Sequence, residues 1–320
     1  KMMNVLSLFD GMRCGRIALE RAGIEVDNYY SSEIDPFAIK IANKNYPQDE
    51  INMLGDVTKI DFFKLPKIDL LIGGSPCQGF SFSGRRKGMV TKENIEIFTL
   101  EQYLELKNNG FEFEGQSYLF WEYIYTLKIC KPKYWLLENV IVSNKWLQIM
   151  NEAIGTEPII LDSSKVSAQS RKRYYWTNIK NIEELKDKNL FLKDILEDTY
   201  TKEDVLSDKI HERFQFLDSN YSIGTTRPPF RTIGQRDHVF GSNQKVGCLM
   251  ATDYKQPKQV YHNDYLRKMS PLECERAQTV PDNYTEGVSS TQRFKMLGNG
   301  WTIDVIAHIL KSIDIQNIYI

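Results

Sequence analysis

Cys77 carries the first chemistry legible in the chain. It follows Asp69-Leu70-Leu71-Ile72-Gly73-Gly74-Ser75-Pro76, an apolar run broken by glycine and proline. Such a run predicts a buried parallel strand that stops at Pro76, which lacks a backbone donor and fixes φ. Cys77 is then presented on a loop at the carboxyl end of a strand, where open α/β sheets bind ligands. An arbitrary cysteine is more often a small buried apolar residue. Here Gly, Ser, Pro and Gln flank it, and Arg85, Arg86 and Lys87 follow within ten positions. Nearby positive charge favours the thiolate, so Cys77 reads as a nucleophile. Glu138 ends a second apolar run, Lys133 to Leu137, in Glu138-Asn139-Val140. Alone it reads as a helix cap or a solvated strand end. Beside Cys77 on one sheet edge, it suggests nucleophilic attack aided by an acid.

Alternating strands and helices must place these groups. Asn4 to Phe9 predicts a buried strand, followed by the turn Asp10-Gly11-Met12-Arg13-Cys14-Gly15 and a helix through Ala22 that Gly23 closes. A second strand covers Asn28 to Ser32 and ends at Glu33; Pro36 opens a helix to about Asn45. A third short strand is expected over Ile51 to Leu54, before Gly55-Asp56. This alternation is that of a doubly wound parallel sheet, class α/β. The glycine-containing first turn with an acidic residue about 20 positions on resembles a nucleotide fingerprint. By itself it suggests a nicotinamide dinucleotide, with Glu33 accepting ribose hydroxyls; a bare structural turn stays open. Asp56 could accept from an adenine amino group or simply cap the turn before Val57.

Further along, a Ser/Gly/Arg/Lys-rich loop runs to Gly88, and Thr91 to Gly115 is a polar insertion with helical pattern around Leu100 to Leu106. Ser117 to Ile129 predicts a helix, and Ile159 to Leu161 and Tyr174 to Ile179 two more strands. Between these strands, Ser167-Ala168-Gln169-Ser170-Arg171-Lys172-Arg173 is either a solvated basic turn or a row of donors on one face of an extended chain. Lys186 to Asp208 predicts an acidic helix, and Tyr221 to Tyr261 loops and short strands. Ser270-Pro271 reads as the cap and first turn of a helix, and Gly298-Asn299-Gly300 precedes an apolar one.

At 320 residues, with 42% apolar and 26% charged composition, the chain is an ordinary globular one of one or two domains. It has no apolar run of membrane-spanning length and no signal-peptide pattern, so a soluble intracellular protein is expected. Lys1 before Met2 reads as a trimmed or tagged start. Five scattered cysteines, none in CxxC spacing, argue against a disulfide framework or a zinc site. The net charge of −1 suggests no polyanion partner, yet from Ser219 to His262 six cations face two aspartates. A basic face, rather than the total, attracts phosphate.

Taken together and in order, Phe9-Asp10-Gly11, Glu33, Gly55-Asp56, Pro76-Cys77-Gln78, Ser117-Tyr118-Leu119-Phe120, Glu138-Asn139-Val140, Gln169 to Arg173, Arg267 to Gln278 and Gly298-Asn299 closely resemble the DNA (cytosine-5)-methyltransferases. Phe-Asp-Gly, Lys165-Val166-Ser167-Ala168 and Gly300-Trp301 are worded like the branch holding phage enzymes and the animal de novo enzymes. Against the Gly-x-Gly turn of the usual bacterial first motif, this chain has Gly11-Met12-Arg13-Cys14-Gly15, with Arg13 standing where a small residue is more familiar. The resemblance implies a Rossmann-like methyltransferase sheet in residues 1–180, completed by 292–320, and a target-recognition domain in 181–291. It implies S-adenosyl-L-methionine held by Phe9, Asp10, Gly11, Glu33, Ile34, Asp56, Val57, Pro76, Leu119 and Asn299. Cys77 would attack cytosine C6, Glu138 act as acid at N3, Arg173 hold O2 and Arg171 assist. Double-stranded DNA would be gripped by Gln78, Ser81, Ser83 and Arg85 and read by Arg227, Arg231, Arg236 and Lys245. A cytoplasmic setting in a bacterial or phage-infected cell follows, with a cognate restriction endonuclease as a candidate partner. The rivals are a tRNA cytosine-5 methyltransferase, whose Cys-Phe-Thr signature is not found in this sequence, and a non-enzymatic DNA-binding relative. An amino-group DNA methyltransferase would need a second proline after Asp35-Pro36, and an NAD dehydrogenase leaves Glu138 and the Gln169 to Arg173 run unexplained.

Overall fold

Apolar runs bounded by glycine build the first sheet. The computed structural model describes residues 2–77, 79–80, 88–202, 204–228 and 231–313. In it β1 (Met3–Leu8), β2 (Val26–Ser32), β3 (Leu70–Gly74) and β4 (Tyr134–Asn139) pair in parallel. β5 (Ile159–Asp162) lies at the edge, and β6 (Lys172–Thr177) runs antiparallel to both β4 and β5. The order is β2–β1–β3–β4–β6–β5, the α/β sheet expected. Side chains alternate across it. Met3, Val5, Leu70, Ile72 and Leu136 enter one apolar core; Leu6, Leu8, Leu71 and Leu137 enter the other. Burial on both faces is why these strands read as near-continuous apolar runs.

Helices cover each face. α1 (Cys14–Ala22) and α2 (Pro36–Asn45) pack on the first core, while α3 (Leu100–Asn108), α4 (Phe120–Cys130) and α5 (Asn144–Ile154) pack on the second. Gly23, at φ 73°, ends α1, and the next amide reaches back to the Leu19 carbonyl at 3.0 Å. Asp35 opens α2 by accepting from the Phe37 and Ala38 amides, with Pro36 in the first turn.

Two expectations fail. Ile51 to Leu54 is not a strand: Pro47–Asn52 is a 3-10 turn, and only Met53 bridges Ser31. A proline and the polar residues after it start a turn, leaving too short a run for a ladder. Lys186 to Asp208 is not a helix either; it holds the single 3-10 turn Leu192–Asp194 and reaches only the start of α6 (Asp208–His211). Leu192, Ile195 and Leu196 enter the first core, but Asn189 turns the chain at φ 51° and the Leu192 and Lys193 amides donate to the Gln244 and Ser242 carbonyls in place of a helical ladder. The insertion, by contrast, is structured: Tyr103 of α3 is fully buried, and its hydroxyl meets the Glu122 carboxylate of α4.

A second, five-stranded sheet follows: β7 (Gln215–Phe216), β8 (Gly224–Thr225), β9 (His238–Gly241), β10 (Gln259–His262) and β11 (Tyr265–Lys268). Then come α7 (Pro271–Ala277), α8 (Ser290–Asn299) and α9 (Ile303–Leu310), with α9 packed on α1. Ser270 and Glu273 form a capping box on α7 with Pro271 in its first turn. Among the described residues no helix is long and apolar enough to cross a membrane.

Arg267 and Glu273 tie β11 to α7 as a fully buried ion pair, 2.7 Å apart and 1% and 0% exposed. Removing one partner strands the other charge in the interior. Arg267→Met is therefore expected to cost about 3–5 kcal/mol of folding free energy, measured by urea unfolding. A loss under about 1 kcal/mol would mean that the carboxylate's amide donors, Glu197 and Ser270, satisfy it alone.

Candidate active site

Three carboxyl-end turns converge beside β1. The chain leaves β1 with Phe9, Gly11 and Arg13 all in the left-handed region, at φ 56°, 57° and 69°. This tight turn aims the Gly11 amide at Glu33 Oε2 (2.7 Å), while Glu33 Oε1 accepts from the Ile34 and Asp35 amides. Ser32 Oγ donates to the Gly55 carbonyl at 2.7 Å, which draws the Gly55-Asp56 turn to the same edge. Asp56 does cap that turn: its Oδ1 accepts from the amide and hydroxyl of Thr58. Among the described residues Asp56 Oδ2 pairs with Lys59 at 3.9 Å. Ile34 is 65% exposed and Val57 is buried.

Asp10 is different. Its carboxylate is buried, and one oxygen accepts from Ser7 Oγ and Tyr29 OH, each at 2.6 Å. Burial raises its pKa to about 7, against those two donors and Arg13. Arg13 itself is fully buried and caps the end of α2: Nη1 donates to the Tyr46 carbonyl at 2.6 Å and Nη2 to Asn43 Oδ1 at 3.0 Å. The long cation in the first turn thus points into the fold as a helix C-cap.

Cys77 lies three residues past β3. Register places Gly74 of β3 beside Glu138 of β4, which fixes the two chemical groups on neighbouring strand ends. Glu138 is 8% exposed. Arg173 Nε contacts its Oε1 at 3.1 Å, and the Trp301 indole donates to its Oε2 at 3.1 Å. Asn139 Nδ2 donates to Ser75 Oγ at 2.9 Å and so holds the Ser75-Pro76 turn before the cysteine. On the far side, Ser117 Oγ accepts from the Gly79 amide at 2.8 Å, and the Gly88 amide reaches the Gly79 carbonyl. The base of the loop is therefore tied to the turn that carries Tyr118 and Leu119. Phe113 of the insertion stacks on Tyr118 with ring centroids 4.5 Å apart.

The electrostatics of Cys77 differ from the sequence expectation. Arg85, Arg86 and Lys87, on which it rested, lie outside the described residues. Among the described ones, burial and then the Glu138 charge push the thiol up, while Arg173 and Arg171 pull it down less. Cys248 is the opposite case: burial raises it, but Arg171 and Arg173, 3.3 and 3.5 Å from its sulfur, bring it below the ordinary thiol value. A raised thiol yields thiolate only at higher pH. Iodoacetamide at pH 8 is accordingly expected to alkylate Cys248 before Cys77, and Glu138→Gln to speed Cys77 alkylation, both read by peptide mass spectrometry. Equal rates in the parent protein would contradict this electrostatic picture.

The other nominated residues divide. Arg171 spends its guanidinium on the Leu249, Gly298 and Gly300 carbonyls, at 2.8, 3.2 and 3.0 Å, and joins the segments on either side of α7 and α8. Arg173 Nη2 meets only the weak acceptor Cys248 Sγ at 3.5 Å. Pro76 and Leu119 are half-buried, and Asn299 is exposed at the end of α8. Gln78, Ser81, Ser83 and Arg85 lie outside the described residues. Arg227 pairs with Asp237 at 3.3 Å, Arg231 is exposed, and Arg236 is half-buried. The Lys245 ammonium donates to the Ser167 and Leu190 carbonyls, at 3.1 and 2.5 Å. Trp301, Gly74, Ser117 and Cys248 were not nominated. Trp301 and Ser117 did stand in quoted motifs and Gly74 in the break before Cys77; nothing in the sequence marks Cys248.

The profile of the C-5 cytosine-specific DNA methylases matches residues 3–314, and the chain belongs to that family. It is similar to an orphan methyltransferase of Bacillus phage rho11s, M.Rho11sI, at 41% identity over 138 residues, 43% of this chain. The match spans only 23% of that relative's own length. At 25% identity it also matches the type II methyltransferase M.HhaI of Haemophilus parahaemolyticus, covering 97% of this chain and 94% of the relative. Among solved structures, the Entamoeba histolytica methyltransferase EhMeth shares the fold, with a TM-score of 0.69, 18% identity and 98% coverage of each chain. Family and fold imply S-adenosyl-L-methionine as the methyl donor.

Proposed function

We propose that this chain methylates C5 of cytosine in a specific duplex DNA sequence through a covalent adduct between Cys77 and C6 of a flipped-out base. The observation that carries it is the convergence of three groups from separate strand ends: Cys77 after β3, Glu138 on β4 and Arg173 on β6, with Glu138 and Arg173 3.1 Å apart. Unaided, C5 of cytosine is a poor nucleophile. Addition of the Cys77 thiolate to C6, with a proton from Glu138 at N3, makes C5 nucleophilic. The donor supplies an electrophilic methyl group. Loss of the C5 proton to solvent, return of the N3 proton to Glu138 and elimination of the thiolate then restore the aromatic ring. Arg173 would hold the cytosine O2 through Nη2, whose present partner is the weak sulfur acceptor of Cys248 at 3.5 Å, while Nη1 stays on the Lys172 carbonyl and Nε on Glu138. Arg171 assists by holding the frame around them.

The donor fits the cleft by its chemistry. The remaining acceptor position of Glu33 Oε2 and Asp56 Oδ2 would suit a ribose hydroxyl and an adenine amino group; Phe9, Gly11, Ile34, Val57, Pro76, Leu119 and Asn299 would complete the site. Asp10 contributes through its backbone, since Ser7 and Tyr29 take its carboxylate. Residues 181–291 would read the target, with Arg227, Arg231 and Arg236 reaching bases or phosphates. Lys245 is better placed to hold the Ser167 turn. A restriction endonuclease of the same specificity is the partner to look for, in the cytoplasm of a bacterial or phage-infected cell. The test is transfer of a labelled methyl group from S-adenosyl-L-methionine to duplex DNA of varied sequence and to tRNA, with the product base identified by mass spectrometry. 5-Methylcytosine in DNA supports the proposal; label in tRNA alone overturns its substrate.

A further inference from the structure

We infer that Trp301 is a positioning residue for Glu138, its indole N–H fixing the carboxylate that acts on the base. This rests on Glu138 being the acid. A glutamate end group rotates broadly about its last torsion, so a carboxylate at a strand end needs donors to set its plane. Among the described residues Glu138 has one partner on each oxygen: Arg173 as an ion pair, Nε 3.1 Å from Oε1, and Trp301, whose Nε1 donates a hydrogen bond to Oε2 at 3.1 Å. If Arg173 turns to the base, Trp301 remains. Indole is a donor only, so it can hold the carboxyl group without taking its proton.

The surroundings are shaped for this contact. A Cβ at Gly74 would lie 2.8 Å from the indole nitrogen and 2.9 Å from Glu138 Oε2. Gly74 does not need its glycine for a left-handed backbone; what it supplies is the space in which indole and carboxylate meet. Gly15 stands against the other end of the ring, where a Cβ would be 3.5 Å from Cζ3. The backbone just before Trp301 is anchored as well: the Gly300 carbonyl accepts from Arg171 Nη2 at 3.0 Å and from Gln278 Nε2 at 3.3 Å. A residue near the end of the chain, between α8 and α9, thereby orients a group on β4.

The test is a kinetic cycle of Trp301→Phe, Glu138→Gln and the double variant, with Gly74→Ala as a second way to part the contact and thermal melting as the check on folding. Trp301→Phe is expected to lower kcat about 10- to 100-fold, with KM for DNA and donor changed by less than about 2-fold. In the Glu138→Gln background it should cost nothing further, because the amide keeps the contact but has no proton to deliver, so its orientation no longer sets the rate. Gly74→Ala should show the same split and carries the test if Trp301→Phe does not fold. An unchanged kcat, a loss confined to KM, or losses that multiply in the double variant would overturn the inference. Parental turnover by Glu138→Gln alone would instead remove the acid on which it rests.

Discussion

Cys77→Ser is expected to lower methyl transfer by at least about 10⁴-fold while leaving donor and DNA binding within a few-fold of the parent. Serine keeps the shape of the side chain, so the half-buried loop base should fold as before. It lacks a nucleophile that ionises in reach of neutral pH, and no other described group at the strand ends replaces it. The loss should therefore fall on kcat, not on KM. Steady-state kinetics on methylatable DNA, with binding measured separately, decide the matter. A residual rate within tenfold of the parent would mean that the thiol only shapes the pocket.

Glu138→Gln carries the second-largest effect, about 10²- to 10⁴-fold in kcat. Glutamine occupies the same volume and retains an oxygen for Arg173 or Trp301, but it cannot release a proton to N3. The same substitution removes the charge that helps hold the Cys77 thiol protonated. The two readouts should therefore move in opposite directions: the Cys77 thiol becomes easier to ionise while turnover falls. Single-turnover methylation, run beside the alkylation of Cys77, reads both. Full turnover by the amide would show that hydrogen bonding at N3 suffices and that no proton need be given.

How much of this was legible in the sequence follows from the range over which each signal acts. Strand ends were readable because apolar runs and their glycine or proline stops are local, so Cys77 and Glu138 could be nominated with the strands that carry them. Ile51 to Leu54 misled because Ile51, Met53 and Leu54 satisfy a short strand pattern while Pro47 had already committed the chain to a turn. Lys186 to Asp208 misled because Leu192, Ile195 and Leu196 have helical spacing, while the Leu192 and Lys193 amides bond to the distant Gln244 and Ser242 carbonyls. The charge at Cys77 was read from cations near in sequence; in space its described neighbours are Glu138, Arg173 and Arg171. Trp301 lies 163 positions from the carboxylate it contacts, and Gly74 is needed for clearance between two side chains that come from different segments. No local pattern encodes such a meeting. Arg13 shows the converse, a residue whose type looked disruptive until its buried partners on α2 gave it a purpose.

Covalent trapping is the most direct measurement of the central claim, that Cys77 attacks the target cytosine. Duplex DNA carrying 5-fluorocytosine is incubated with S-adenosyl-L-methionine and either the parent protein or Cys77→Ser, then analysed by denaturing electrophoresis and peptide mass spectrometry. Fluorine at C5 cannot leave as a proton does, so the methylated adduct should persist. The account predicts a DNA-linked species with the parent protein, mapped to the peptide that contains Cys77, and none with the serine variant. An adduct mapped to another cysteine, or methylation of ordinary DNA without any adduct on the fluorinated one, would contradict it.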